Sequence, residues 1–186
     1  CGLIGDPVAQ SPSPAMHNAA FQSTGLNFVY LSFKVPAACL EDAVKGLKAV
    51  DARGFNVTIP HKESAARLVD ELDSTSSDIG AVNTVVNEGG RLRGFNTDIE
   101  GFTAPLRDRG ILVKNRRCMV LGAGGAARAV LTGIVREGCG ELIILNRSVN
   151  RASKMVSELK GKLDFKAEAA PLNDATVRRW IGSVDI

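Results

Sequence analysis

The sequence is poor in the residues that build metal sites and disulfide frameworks. It has only two histidines, and its four cysteines are far apart, with no Cys-x-x-Cys pair. They are Cys1, Cys39, Cys118 and Cys139. Disulfide frameworks belong mainly to short secreted chains, so scattered cysteines in 186 residues indicate free thiols in a reducing compartment. We therefore expect no metal site and a cytoplasmic protein.

Aromatic residues, excess charge and long apolar runs are also scarce. Aromatics make up 5% of the chain and the net charge is +3, which does not suit a nucleic-acid-binding protein that stacks bases and neutralises phosphates. No apolar run approaches the roughly 18 residues of a membrane-spanning helix, and the chain opens without a signal-peptide layout. We expect a globular protein with neither a membrane nor a nucleic acid as partner. The sequence leaves the oligomeric state open.

Short apolar runs alternate with helix-length segments along the whole chain. Strands are predicted at Leu3–Ile4, Phe28–Phe33, Gly54–Ile59, Thr84–Val86, Cys118–Leu121 and Leu142–Leu145. The segments between them repeat apolar residues at helical spacing, as at Leu40, Val44 and Leu47. This rhythm predicts an α/β fold with largely parallel strands. One hairpin is predicted, with its turn in Asn87–Arg91.

A domain boundary is predicted near residues 107–110. The helix that follows Asp98 should end at Gly110, before a polar, basic stretch. We therefore expect a first domain over residues 1–106 and a second over residues 107–186. The first contains the hairpin and a lysine-bearing strand end, and the second begins with a glycine-rich loop.

That loop follows an apolar strand and precedes an alanine-rich helix. Gly122, Gly124 and Ala127 match the Gly-x-Gly-x-x-Gly/Ala pattern that lets a backbone approach a pyrophosphate. The helix amides would add a partial positive charge. The predicted phosphate-binding residues are Gly122, Ala123, Gly124, Gly125 and Ala126.

The next strand ends at Asn146, Arg147 and Ser148, where an NAD-specific fold would place a carboxylate. Arg147, helped by Arg151, would instead suit the 2′-phosphate of NADP, because a guanidinium is a planar fork of donors. Asn146 and Ser148 could add hydrogen bonds. The alternative is a helix-capping Ser148 beside solvated arginines.

A candidate catalytic group lies at the end of the third predicted strand, in the stretch Asn56-Val-Thr-Ile-Pro-His-Lys62. Proline should stop this strand at Ile59–Pro60, so that Lys62 begins the next turn or helix. Thr58 and Lys62 would then lie at a carboxyl-terminal strand end, where open α/β sheets bind ligands. The alternative is that Lys62 is a solvated lysine of a first helical turn.

Other polar groups could complete a site for a small anion with hydroxyl groups. Ser11 and Ser13 follow the first strand, and near a helix amino terminus they would suit one carboxylate, although Ser13 could simply be an N-cap with Pro14 at the first helical position. The hairpin could bring Asn83 near Asp98, which could also be a first-turn helix carboxylate. Asp98 within reach of a lysine would orient it as a proton donor.

The order of these motifs resembles the shikimate dehydrogenase family. The segments that carry the resemblance are Ser11-Pro-Ser-Pro with His17-Asn18, Asn56-Val-Thr-Ile-Pro-His-Lys62, Gly80-Ala-Val-Asn-Thr84, Gly94-Phe-Asn-Thr-Asp98, Gly122-Ala-Gly-Gly-Ala126 and Asn146-Arg-Ser148. The resemblance implies a substrate-binding α/β domain followed by a Rossmann domain. It also implies NADPH-dependent interconversion of 3-dehydroshikimate and shikimate, in the chorismate and aromatic amino-acid pathway.

The resemblance also implies roles for individual residues. Ser11 and Ser13 would bind the substrate carboxylate, and Thr58, Asn83 and Asp98 its hydroxyls. Lys62 and Asp98 would form the catalytic pair, in which Lys62 protonates the developing alkoxide as the nicotinamide delivers hydride. The loop at Gly122–Ala126 would hold the pyrophosphate, and Asn146, Arg147, Ser148 and Arg151 would surround the adenosine phosphate.

Members of this family would continue beyond Ile186 with a strand, a nicotinamide-facing loop and helices that return to the substrate. We therefore expect a partial Rossmann domain and little or no activity from these 186 residues alone. Three other readings share some of the motifs. They are a quinate/shikimate dehydrogenase with relaxed substrate or cofactor choice, a methylenetetrahydrofolate dehydrogenase, and a non-catalytic ligand- or dinucleotide-binding module. The paired serines favour a small carboxylate over a folate.

Overall fold

A computed structural model describes residues 1–161 and 163–186, and they divide into two compact units, Cys1–Asn96 and Thr97–Ile186. The division predicted from the sequence, after residue 106, lies one helix later. That helix, Asp98–Asp108, belongs to the second unit, where its Ile99 and Thr103 pack against Gly133. In the described part of the chain, no helix has both the length and the apolar character to cross a bilayer.

The first unit is a mixed six-stranded sheet with helices in the connections. Its strands are β1 (Gly2–Gly5), β2 (Leu31–Lys34), β3 (Gly54–Val57), β4 (Glu71–Leu72), β5 (Thr84–Glu88) and β6 (Arg91–Phe95). Its helices are α1 (Ser13–Ser23), α2 (Leu40–Ala49), α3 (Lys62–Ala65) and α4 (Ser74–Ile79). The strand order is β2-β1-β3-β5-β6-β4. Strand β1 runs parallel to β2 and β3, whereas β5 runs antiparallel to β3 and β6.

The predicted hairpin is confirmed. Glu88 pairs with Arg91 across a turn in which Gly89 and Gly90 have φ of 62° and 90°, conformations that glycine adopts at little cost. Residues on one face of the strands, including Ile4 and Val57, are buried against α2 and α3. This core fixes the ends of β1 and β3, where the candidate site lies.

Strand β2 is shorter than the predicted run from Phe28 to Phe33. The backbone amide of Tyr30 donates to Oδ1 of Asn18 (2.8 Å), and its carbonyl oxygen accepts from Nδ2 of the same asparagine (2.9 Å). The single N–H of residue 30 is therefore used by a side chain and cannot donate within the sheet ladder. The strand begins at Leu31 for this reason.

The second unit contains a parallel three-stranded sheet with the order β7-β8-β9. Its strands are β7 (Arg117–Leu121), β8 (Glu141–Asn146) and β9 (Ala167–Pro171), and its helices are α5 (Asp98–Asp108), α6 (Gly125–Arg136), α7 (Val149–Lys160) and α8 (Asp174–Ile181). Residues 142–145 of β8 are fully buried, as expected for a parallel strand covered on both faces. Along the other edge of β7, the Asp185 amide donates to the Arg117 carbonyl (2.8 Å) and the Met119 amide to the Ile186 carbonyl (2.7 Å).

Candidate active site

The two serines after β1 are in contact, but Ser13 is not the N-cap that the sequence suggested. Helix α1 begins at Ser13 itself, because Pro12 already has helical backbone angles and its carbonyl accepts from the Met16 amide (3.1 Å). The Ser11 hydroxyl donates to the Ser13 hydroxyl (3.1 Å) and accepts from the Ser13 amide (3.3 Å). The pair thus presents two adjacent hydroxyls at the amino end of a helix.

Both serines line a cavity of about 460 Å³ that also includes Thr58. Its lining residues are Leu3, Pro7, Val8, Ala9, Gln10, Ser11, Ser13 and Thr58. Backbone hydrogen bonds hold its two sides together, from the Thr58 amide to the Ile4 carbonyl (3.0 Å) and from the Asp6 amide to the Ile59 carbonyl (2.9 Å). The cavity therefore lies at the carboxyl ends of the parallel strands β1 and β3, where ligands bind in open α/β sheets.

Lys62 begins α3, as predicted, after the strand ends before Ile59–Pro60. Its side chain is half-buried, and its carbonyl oxygen accepts from the Val82 amide (2.9 Å). The preceding residue, His61, is 1% exposed, and its Nε2 lies 2.6 Å from the Val35 carbonyl oxygen. The backbone at Lys62 is thus fixed on both sides.

Asn83 lies between the ends of two strands. Its amide donates to the Phe95 carbonyl (3.0 Å), and its carbonyl accepts from the Val57 amide (2.8 Å), which places it beside the strand end that carries Thr58. Asp98 is the first residue of α5, in the second unit. The pairing of Lys62 with Asp98 therefore stays a prediction.

A polar network that was not predicted from the sequence lies next to Asn83. The Tyr30 hydroxyl donates to Oδ1 of Asn56 (2.7 Å), whose Nδ2 donates to the Thr84 hydroxyl (3.0 Å). Burial raises the pKa of Tyr30 to about 12. The sequence feature that pointed to this network was the His17-Asn18 pair, because the His17 ring stacks on the Tyr30 ring with the centroids 4.3 Å apart.

The glycine-rich loop joins β7 to α6 in the second unit. Gly122 has φ of 116°, and its amide donates to the Leu145 carbonyl (2.8 Å). Gly124 is the N-cap of α6. A Cβ built on either glycine would meet no atom within 4 Å, so open space lies in front of both residues. The loop and the helix amides therefore fit a dinucleotide pyrophosphate.

The polar residues after β8 are arranged around the start of α7. Nδ2 of Asn146 donates to the Ser148 carbonyl (2.9 Å), and the Ser148 hydroxyl accepts from the Arg151 amide (3.4 Å) as the N-cap. The capping role that the sequence left open is therefore present. Arg147 and Arg151 are exposed within one helical turn of each other, which suits a phosphate placed outside the end of β8.

Together these features define a class of two-unit α/β protein, in which a unit with a polar cavity at its strand ends precedes a Rossmann-type dinucleotide-binding unit. Two family models match the chain in the same order. The shikimate dehydrogenase substrate-binding domain matches residues 3–85, and the shikimate/quinate 5-dehydrogenase model matches residues 108–185. The chain belongs to the shikimate dehydrogenase family.

Individual relatives agree with this assignment. A protein of Methanopyrus kandleri named shikimate dehydrogenase (NADP(+)) is 49% identical over 186 residues, which are 100% of this chain and 64% of the relative. A Listeria monocytogenes shikimate 5-dehydrogenase, solved with shikimate and NAD, has a TM-score of 0.86 at 37% identity and covers 98% of this chain and 65% of its own. A Thermus thermophilus shikimate 5-dehydrogenase, solved with NADP(H) and shikimate, has a TM-score of 0.78 at 40% identity, with coverages of 90% and 61%. The chain thus spans less than two thirds of each of these proteins.

Proposed function

We propose that the chain is the substrate-binding unit and the first part of the cofactor-binding unit of an NADP-dependent shikimate dehydrogenase. The reaction is the reversible reduction of 3-dehydroshikimate to shikimate, a step towards chorismate and the aromatic amino acids. The observation that carries the proposal is the cavity that joins the paired hydroxyls of Ser11 and Ser13 to Thr58, within a family whose members are named for this activity.

The polar groups of the first unit divide between two parts of the substrate. Ser11 and Ser13 bind the carboxylate, because two hydroxyls beside helix amides can donate to the oxygens of one anion. Thr58 and Asn83 bind ring hydroxyls, and Asp98 is assigned to them by the family motif. This division favours a small hydroxylated acid over a ligand without a carboxylate.

Lys62 is the proposed general acid and base. When bound, the dinucleotide supplies hydride to the ketone carbon of 3-dehydroshikimate. The Lys62 ammonium gives a proton to the oxygen on which negative charge develops, and in the reverse direction the neutral amine removes the hydroxyl proton. Asp98 would orient the lysine. The fixed backbone at Lys62 limits where its Nζ can reach.

We assign NADP(H) as the cofactor. The loop Gly122–Ala126 would hold its pyrophosphate, and Arg147 and Arg151, with Asn146 and Ser148, would bind the 2′-phosphate. A family member with relaxed cofactor or substrate choice is the second candidate, since the Listeria relative was solved with NAD. The cytoplasm is the proposed location, because all four cysteines are free thiols.

The test is NADPH oxidation with 3-dehydroshikimate by the product of the complete reading frame that encodes this chain. We expect turnover with NADPH and 3-dehydroshikimate, and with NADP+ and shikimate in the reverse direction. Turnover should be much weaker when NADH replaces NADPH, or when quinate replaces shikimate in the reverse direction. Equal rates with quinate or NADH would favour the relaxed enzyme. Binding of shikimate and NADPH without turnover would support a non-catalytic module and refute the proposed activity.

A further inference from the structure

Four polar side chains of the first unit form one continuous hydrogen-bond relay that ends at Asn83. The Tyr30 hydroxyl donates to Oδ1 of Asn56 (2.7 Å). Nδ2 of Asn56 donates to the Thr84 hydroxyl (3.0 Å), and that hydroxyl donates to Oδ1 of Asn83 (3.0 Å). Because every donor points the same way along the relay, the Asn83 amide has one favoured orientation, with Oδ1 towards Thr84.

The start of the relay is held rigidly. Tyr30 is 3% exposed, and its ring stacks on His17 with the centroids 4.3 Å apart. Its backbone amide and carbonyl both bind the side chain of Asn18. These contacts hold the phenol towards Asn56, and like any tyrosine hydroxyl it is protonated, and so a donor, at neutral pH. Since His17 and Asn18 belong to α1, the relay begins on the helix whose first residue is Ser13.

The end of the relay lies beside the cavity. The Asn83 carbonyl accepts from the Val57 amide (2.8 Å), directly before the cavity residue Thr58. An asparagine amide presents either two donors or an acceptor, depending on which way it is turned. Because Oδ1 of Asn83 accepts from the Thr84 hydroxyl, Nδ2 of Asn83 is the group directed to other partners.

We propose that Tyr30 is a positioning residue for substrate recognition, acting through Asn56 and Thr84 to hold the Asn83 amide so that Nδ2 donates to a substrate hydroxyl. The identity of that ligand rests on the proposed function, whereas the orientation of Asn83 does not. Tyr30→Phe removes the relay's first donor and keeps the ring that stacks on His17. Without that donor, the Asn56 amide is held through its Nδ2, which donates to the Thr84 hydroxyl (3.0 Å) and to the Asn83 carbonyl (3.3 Å), and its hold on the Asn83 amide loosens.

The first experiment needs no ligand. We would record the side-chain amide signals of Asn56 and Asn83 by ¹H–¹⁵N NMR in the wild-type chain and in Tyr30→Phe, identifying the Asn83 signal by its loss in Asn83→Ala. We expect both signals to shift or broaden in Tyr30→Phe. Thr24→Val, which removes an exposed hydroxyl that donates to carbonyls of its own helix end, should leave them unchanged. An unaltered Asn83 signal in Tyr30→Phe would overturn the proposal.

The second experiment is a double-mutant cycle on shikimate affinity, measured by calorimetry with the product of the complete reading frame that encodes this chain. Loss of one relay hydrogen bond should weaken binding by about 3- to 10-fold in Tyr30→Phe, and by nothing further when Asn83 is already alanine. Thr84→Val should weaken shikimate binding by a similar factor. Thr84→Ser keeps the hydroxyl and should bind shikimate as the wild type does. An equal loss in both Asn83 backgrounds would show that Tyr30 acts only through stability and would overturn the positioning role. If the wild type bound no shikimate, the proposed function would fail, while the NMR result would still decide the orientation of Asn83.

Discussion

His61 Nε2 lies 2.6 Å from the carbonyl oxygen of Val35, and this contact ties the residue before Lys62 to the chain that leaves β2. A carbonyl oxygen only accepts, so Nε2 carries the proton of the ring. Both residues are buried. The backbone that carries Lys62 is therefore anchored by a buried hydrogen bond of the residue before it.

His61→Phe should destabilise the protein by about 1–3 kcal/mol, because it leaves a buried carbonyl without its donor. The matched control is His17→Phe, the only other histidine of the chain, where an aromatic ring can still stack on Tyr30. Urea unfolding of both variants measures the difference. Equal losses would mean that the contact with Val35 contributes no specific stability.

Gly124→Ala should lower NADPH affinity roughly tenfold or more at unchanged stability, since only a small residue lets the backbone approach the pyrophosphate. The backbone there is extended and the added Cβ meets no protein atom within 4 Å. Gly101→Ala, inside α5 and equally unobstructed, is the control and should leave NADPH binding unchanged. Fluorescence titration with NADPH and thermal unfolding give the two readouts. Retained affinity in Gly124→Ala would contradict the loop's assignment.

Replacing Arg147 and Arg151 together by glutamine should weaken NADPH binding by roughly 10- to 100-fold, as expected for lost charge-assisted hydrogen bonds, and leave NADH binding unchanged. Both side chains are exposed, so the fold should be unaffected. Arg109→Gln, at the exposed end of α5, is the control. A parallel loss with both cofactors would remove the role of these arginines in choosing NADP.

Tyr30 should ionise near pH 12, its pKa raised by burial from the ordinary value of 10.0. It is the only tyrosine of the chain, so absorbance near 295 nm follows this one phenol. The unfolded chain loses this proton first, so the stability that Tyr30 contributes should be constant below about pH 10 and fall as the pH rises from about 10 towards 12. Tyr30→Phe should lack that component of the loss. A phenol that titrates near 10 in the folded protein would contradict its burial.

Local patterns in the sequence predicted much of this architecture. The strand stopped before Ile59–Pro60, the hairpin around Gly89–Gly90 and the glycine loop after β7 each follow from a few adjacent residues. Strands β4 and β9 were missed, since Glu71–Leu72 is too short and Ala167–Pro171 too weakly apolar to show a period.

The network behind the site could not be predicted in the same way. Its hydrogen bonds join residues far apart in the chain, as from Tyr30 to Asn56 and from Asn56 to Thr84. Such contacts depend on strand order and register, here the pairing of β3 with both β1 and β5. Propensity and spacing carry no information about that register for polar pairs.

The most direct test of the account is the turnover of Lys62→Ala in the product of the complete reading frame. Loss of a general acid–base group should lower kcat for 3-dehydroshikimate reduction by about 10²- to 10⁴-fold, with little change in shikimate affinity. Lys45→Ala, an exposed lysine of α2 paired with Glu41, should keep full activity. A kcat for Lys62→Ala equal to that of the wild type would contradict the assignment of Lys62 as the proton donor.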